Sequence, residues 1–208
     1  DAEQGVAEAQ VMLGKMHEEG HHFPKNYIIA FNWYKRAATQ GNVPGKLHLY
    51  KIAKKGVPKA LKILIDDARR GVAQAQFHLG FMYKNGHQFP QDNDEAFRWY
   101  QLSANQGYVH AQLHLGQMYE KGEAVPQNYD EAVRRYRFGA EIGIGEAQFR
   151  LGLMYYKGQG VPQDYVLADM WFILSSIRKI KEATKYRSLV ENKMSPQQIE
   201  KAQLMARN

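Results

Sequence analysis

Three groups of residues carry the chemistry this sequence offers. His17-Glu18-Glu19-Gly20-His21 has the H-E-x-x-H order of zinc proteases. That chemistry needs both histidines on one helix face, one turn apart, to hold Zn2+, with the glutamate as general base. His110 and His114 are also one helical turn apart, and His78 takes the place of His114 36 residues earlier, which makes a three-histidine metal site a second arrangement to weigh. Ser176-Ile177-Arg178-Lys179 has the S-x-x-K order of penicillin-recognising serine enzymes, but the companion S-D-N and K-T-G segments are absent. Charge is a fourth feature. The chain carries +7, and residues 35–70 hold ten cations (Lys35, Arg36, Lys46, Lys51, Lys54, Lys55, Lys59, Lys62, Arg69, Arg70) against Asp66 and Asp67, a local +8. Such a stretch attracts nucleic acid, anionic lipid or an acidic protein.

The elements that must position these residues follow from a repeat. AQFHLGFMY at Ala75 returns as AQLHLGQMY at Ala111 and AQFRLGLMY at Ala147, each 36 residues on, and AQVMLGKMH opens an earlier copy at Ala9. A fixed period of this length marks a solenoid of stacked units. Each unit reads as helix, loop, helix. Ala75, Leu79, Met82 and Tyr83 recur at helical spacing, and Gly86 stops that helix. Asn26, Asp92, Asn128 and Asp164 then cap the second helix, with Glu95 and Glu131 placed to close capping boxes. Gly14, Gly80, Gly116 and Gly152 sit inside first helices at a cost of about 1 kcal/mol each, which predicts close approach of a neighbouring helix. An all-α, α/α superhelical solenoid follows, as one array over 1–208. Its parts are the end of a preceding repeat (1–8), full repeats at 9–44, 75–110, 111–146 and 147–182, a shortened repeat at 45–74, and a degenerate capping repeat with a C-terminal helix at 183–208. The six residues missing from the shortened repeat are assigned to its loop. Because Ala2-Glu3-Gln4-Gly5 matches Ala104-Asn105-Gln106-Gly107, the first residue falls inside a repeat, and the chain is expected to be a fragment.

The register demotes the three chemical motifs. Gly20 is a helix stop, so His21 belongs to a loop, while His17 takes the packing place of Tyr83, Tyr119 and Tyr155. The histidines at 78, 110 and 114 have no carboxylate partners in view, and Ser176 stands where Ala104 and Ala140 pack helix on helix. Trp33, Trp99 and Trp171 recur with the period and read as core. Absence of cysteine excludes a disulfide framework and thiolate metal sites. No catalytic residue, metal or cofactor is assigned, and no segment is long and apolar enough to span a bilayer.

The units AQFHLGFMYKNGHQFPQDNDEAFRWYQLSANQG and AQLHLGQMYEKGEAVPQNYDEAVRRYRFGAEIG resemble Sel-1-like repeats, relatives of tetratricopeptide repeats, and the C-terminal MSPQQIEKAQLMA is similar to the closing helix of bacterial members. The resemblance implies a non-enzymatic scaffold or adaptor that binds a protein or peptide. It also favours a periplasmic or secreted location over the cytoplasm. Some members are stapled by disulfides, a property this cysteine-free chain does not inherit.

Reading the copies against one another separates scaffold from surface. Places that agree build the array. On the first helices the places that differ step by four, three and four residues, which puts them on one face. They are Glu8, Met12, Lys15 and Glu19; Gln74, His78, Phe81 and Asn85; His110, His114, Gln117 and Lys121; and Glu146, Arg150, Leu153 and Lys157. In tetratricopeptide relatives this face lines the concave side, so the stripe is a candidate partner groove, with Phe81 and Leu153 as apolar anchors. Two alternatives remain: a hydrolase or metal-binding repeat protein, and a binder of nucleic acid or anionic surfaces through 35–70. Nucleic acid is the weaker reading, because the lysines there flank an apolar helix, whereas an acidic protein partner fits. No feature of the sequence sets an oligomeric state.

Overall fold

The computed structural model describes residues 2–3 and 5–207; Asp1, Gln4 and Asn208, and with them part of the expected repeat end at 1–8, lie outside the described residues. Among those residues there are twelve α-helices and no strand. The first helices of the pairs are α1 (Ala7–Glu19), α3 (Val43–Ala53), α5 (Ala73–Asn85), α7 (Val109–Lys121), α9 (Gly145–Lys157) and α11 (Lys181–Glu191). Their partners are α2 (Tyr27–Thr39), α4 (Pro58–Arg69), α6 (Asn93–Asn105), α8 (Tyr129–Glu141), α10 (Tyr165–Ile177) and α12 (Pro196–Met205). The chain forms two compact units, residues 1–106 and 107–208. Within the first, α1 to α6 stack in chain order; within the second, α7 to α11 do so and α12 closes on α10. No described helix is long and apolar enough to cross a membrane.

The caps are where the turn chemistry places them. Asn26, Asp92, Asn128 and Asp164 each accept hydrogen bonds from the first free amides of the second helices. The expected capping boxes at Glu95 and Glu131 form only by half. The cap amides are already taken, since the Asp92 N–H donates to the Tyr83 carbonyl and the Asn128 N–H to that of Tyr119, so Glu95 accepts instead from Arg98 and Trp99, and Glu131 from Arg134. Both halves of the box do form between Ser195 and Gln198. The first helices have no such side-chain cap at Val72, Tyr108 or Ile144. Instead the glutamine of the A-Q pair ties one pair to the next inside each unit: Gln76 donates to the Ala68 carbonyl in the first and Gln148 to that of Ala140 in the second, occupying last-turn acceptors of the preceding helix.

The mid-helix glycines are explained by a ring. A Cβ on Gly116 would lie 2.6 Å from Cε1 of Tyr136, and one on Gly152 would lie 2.7 Å from Cε1 of Phe172. Gly14 faces Tyr34 and Gly80 faces Tyr100 in the same way. Each ring is fully buried. The tryptophans expected in the core are only half-buried; the Tyr or Phe after each of them is the core residue.

The shortened repeat departs from the expectation for its loop. The connection 54–57 has four residues where 20–26 has seven, but α3 has 11 where α1 has 13, and α4 has 12 where α2 has 13. The deletion is therefore shared between loop and helix ends. It also inverts the interlock: Tyr50 of α3 stands at the glycine place and Leu64 of α4 at the tyrosine place, both buried. Tyr50 turns its hydroxyl to Asp67, 2.6 Å away, and Asp67 also receives Arg70 at 2.8 Å and Lys46 at 3.2 Å. In the capping repeat Arg187 replaces the core leucine of the other first helices. It is held by the fully buried Asp169 at 3.2 Å, so an ion pair substitutes for apolar packing there.

Candidate docking surface

The structure takes the chemical motifs apart. Helix α1 ends at Glu19, and Gly20 adopts a left-handed φ of 83°. His17 stays on the helix, stacked on Phe23 with ring centroids 4.6 Å apart, while His21 lies beyond it, 3.3 Å from Glu19. The two histidines do not share a helix face, and Glu18 is occupied elsewhere. His78 packs near Tyr50 and His110 near Tyr108, and among the described residues no three His, Asp or Glu side chains gather as a metal site would require. Ser176 donates to the Ile173 carbonyl of its own helix, and Lys179 follows the helix end in a left-handed conformation, φ 66°. The fully buried small residue at the helix contact is Ser175, one place earlier, whose hydroxyl donates to the Gly145 carbonyl at 2.8 Å.

The stripe divides by burial. In the first unit Met12, Lys15, Glu19 and Asn85 are exposed, and Gln74, His78 and Phe81 are half-buried. In the second, His110, Lys121 and Lys157 are exposed, and His114, Gln117 and Arg150 are half-buried. Leu153 is buried at 6% exposure, packed with Phe149, Phe172 and Val190 beneath α11. It is a core residue of the second unit and no anchor for a partner.

Alignment of α3 with α5 adds stripe residues that sequence comparison missed. Leu47-His48-Leu49-Tyr50 sits in the register of Phe77-His78-Leu79-Gly80, which puts His48, Lys51 and Lys55 on the stripe. Tyr50 in place of glycine hid the match. The recurring His-Leu pair (His48-Leu49, His78-Leu79, His114-Leu115) was the available signal.

A three-residue group repeats along this face. Glu18 accepts from the Tyr34 hydroxyl at 2.6 Å and lies 3.6 Å from Nδ1 of His48 on the next first helix. Glu120 accepts from Tyr136 at 2.6 Å and lies 3.7 Å from Arg150, which occupies the His48 place one unit along. The nearby His48 imidazole, helped by the Tyr34 hydroxyl and by Lys55, outweighs burial and holds the Glu18 carboxyl below the usual carboxylate range. Burial first, then the hydrogen bond to the glutamate, pushes the Tyr34 and Tyr136 hydroxyls up, so both stay donors. At the last step the hydroxyl is absent, and the group becomes Tyr156, Phe172 and Tyr186, three rings with centroids 5.6 to 6.0 Å apart where the pairs Phe172–Tyr186 and Tyr156–Tyr186 meet.

Between α3 and α5 lies a pocket of about 130 Å3, lined by Tyr50, Lys51, Lys54, Phe77, His78, Phe81 and Met82. Its wall is mostly apolar, and the Lys54 ammonium sits 5.7 Å from the Phe81 ring centroid. The short loop below it is held by Gln88, which donates to the Lys54 carbonyl. The ten cations of 35–70 do not form one field. Lys46 and Arg70 are drawn to Asp67, Arg36 lies over the Trp33 ring, and the others are divided among α2, α3, α4 and the loop after α3.

Repeats of this build, with a glycine–ring interlock and an Asn or Asp cap after a Val-Pro or Phe-Pro turn, define a class of helical solenoid. The Sel1 repeat model matches residues 7–42, 73–108, 109–143 and 145–176, so the chain belongs to the Sel1 repeat family. Its structure is similar to that of c5321, a protective antigen of uropathogenic Escherichia coli that displays an SLR fold: 32% identity, TM-score 0.74, covering 99% of this chain and 45% of the antigen. The chain thus spans less than half of that relative. A Sel1 repeat protein from Oxalobacter formigenes is similar over 96% of this chain and 86% of its own, at 29% identity and TM-score 0.69. A sel1 repeat protein from Klebsiella pneumoniae shares the fold at 21% identity and TM-score 0.52, covering 91% of this chain and 95% of its own. No curated protein sequence shows significant similarity to the chain.

Proposed function

We propose that this chain is a non-enzymatic scaffold that docks a protein or peptide segment along the face of its first helices, the face that family resemblance assigns to the concave side. The observation that carries the reading is the α3–α5 pocket, where stripe residues His78 and Phe81 meet Lys51 and Lys54 around an apolar wall. Membership of the Sel1 repeat family, whose members commonly serve as interaction scaffolds, supports it. The dispersal of the zinc-like and serine-like motifs weighs against a hydrolase. Likeness to a protective antigen supports an envelope or secreted location. Hydrogen exchange measured with and without a saturating partner is the test. Slowed exchange confined to α1, α3, α5, α7 and α9 is expected, and slowing confined to α2, α4, α6 and α8 would refute the reading.

A further inference from the structure

We infer that the α3–α5 step takes an acidic peptide segment, one apolar side chain flanked by Asp or Glu, whose carboxylate supplies the anion that this step lacks. The inference rests on the scaffold reading and narrows it to a partner chemistry. At two other steps the stripe closes on itself: Glu18 meets Tyr34 and His48, and Glu120 meets Tyr136 and Arg150. At the α3–α5 step the place of Glu18 and Glu120 is taken by Lys54, and the place of Phe81 on the facing helix is taken by Lys51. The hydroxyl of this step is also diverted, because Tyr50 donates to the buried Asp67. Two exposed ammonium groups are left beside the pocket, and one of them, Lys54, stands where α1 and α7 carry a carboxylate. Among the described residues neither Lys51 nor Lys54 is in an ion pair, whereas Lys46 and Arg70 are both held by Asp67.

The space fits the same occupant. A volume of about 130 Å3 equals that of roughly four water molecules at ~30 Å3 each, which is room for one apolar side chain. Phe77, Phe81 and Met82 would contact it on one side and Tyr50 on the other. The corresponding place in the second unit is filled from within, since Phe149 and Leu153 are buried and Arg150 is engaged by Glu120 and Glu146. A cation pair beside an apolar pocket selects against basic partners by like-charge repulsion and sets register on an acidic one.

The test uses a fluorophore-labelled synthetic peptide of about twelve residues with a single central Phe among Asp and Glu, titrated by anisotropy at about 0.15 M salt. Lys54→Glu introduces the carboxylate that α1 and α7 carry at this place and is expected to weaken binding at least about tenfold while leaving the melting curve unchanged. Lys62→Glu, on the exposed side of α4, makes the same change in net charge and should stay within about twofold of wild type. Replacing the peptide's Phe by Ser, or its acids by Lys, should abolish binding. Equal losses in Lys54→Glu and Lys62→Glu would reduce the effect to net charge and overturn the inference. So would failure of the wild type to bind, or equal binding of the basic peptide. Protection of the first helices by a natural partner, together with failure of this peptide, sinks the partner chemistry and leaves the scaffold reading standing.

Discussion

Tyr136→Ala is expected to lower the stability of the second unit by about 3–5 kcal/mol, the cost of deleting a fully buried aromatic ring. The ring lies against Gly116 so closely that a Cβ there would sit 2.6 Å from Cε1, and the neighbours that shape the slot are helix backbones that cannot collapse into it. Its hydroxyl reaches Glu120 at 2.6 Å, so alanine also leaves a half-buried carboxylate one donor short. Tyr136→Phe should cost only about 1 kcal/mol, because Phe172 shows that an unsubstituted ring fits the same slot over Gly152. Gly116→Ala should cost about 1–3 kcal/mol by overpacking, and much of that cost should vanish in the Tyr136→Ala background, where the ring it collides with is gone. Urea unfolding of the four variants checks this. Additive losses in the double variant would mean that glycine and ring do not interlock.

Leu153→Glu and Phe81→Glu occupy equivalent places in two repeats and should behave oppositely. Leu153 is buried among Phe149, Phe172 and Val190, so a carboxylate there has no partner and no water; the cost should exceed about 3 kcal/mol and unfold the second unit near body temperature. Phe81 is half-buried at a pocket rim with Lys51 and Lys54 beside it, so a carboxylate introduced there would be solvated and offered two cations. The melting temperature of Phe81→Glu should move by no more than a few degrees, while partner binding is lost because the anion site is filled from within and the apolar wall is reduced. Thermal melts by circular dichroism, paired with binding of the same samples, separate the two. A cooperative, wild-type melt for Leu153→Glu would put that residue on the surface after all.

Most of the architecture is legible in the period alone. Helix, loop, helix, the Asn and Asp caps and the need for a close neighbour at Gly14, Gly80, Gly116 and Gly152 all follow from local rules that every copy repeats. What stayed hidden depends on contacts between elements. Nothing local distinguishes Leu153 from Phe81, since burial of the former is decided by α11, a helix about 30 residues downstream in a degenerate unit. Nor do the Glu95 and Glu131 boxes reveal that the cap amides are taken by the Tyr83 and Tyr119 carbonyls, which leaves the carboxylates to Arg98 and Arg134. The register of α3 was obscured because Tyr50 and Leu64 exchange the roles of glycine and tyrosine, and this exchange only becomes intelligible once Asp67 is seen receiving the Tyr50 hydroxyl. The site that matters most for the functional reading thus sits where the period fails.

Site-specific photo-cross-linking tests the central claim most directly. A photoreactive residue is placed in turn at Lys15, Phe81 and Gln117 on first helices, and at Asn32, Arg98 and Arg134 on second helices, and the partner is identified from the adducts. The account predicts adducts to one partner polypeptide from the first-helix positions, strongest at Phe81, and none from the second-helix positions. Adducts to that partner from Asn32, Arg98 and Arg134, with none from Phe81, would contradict it.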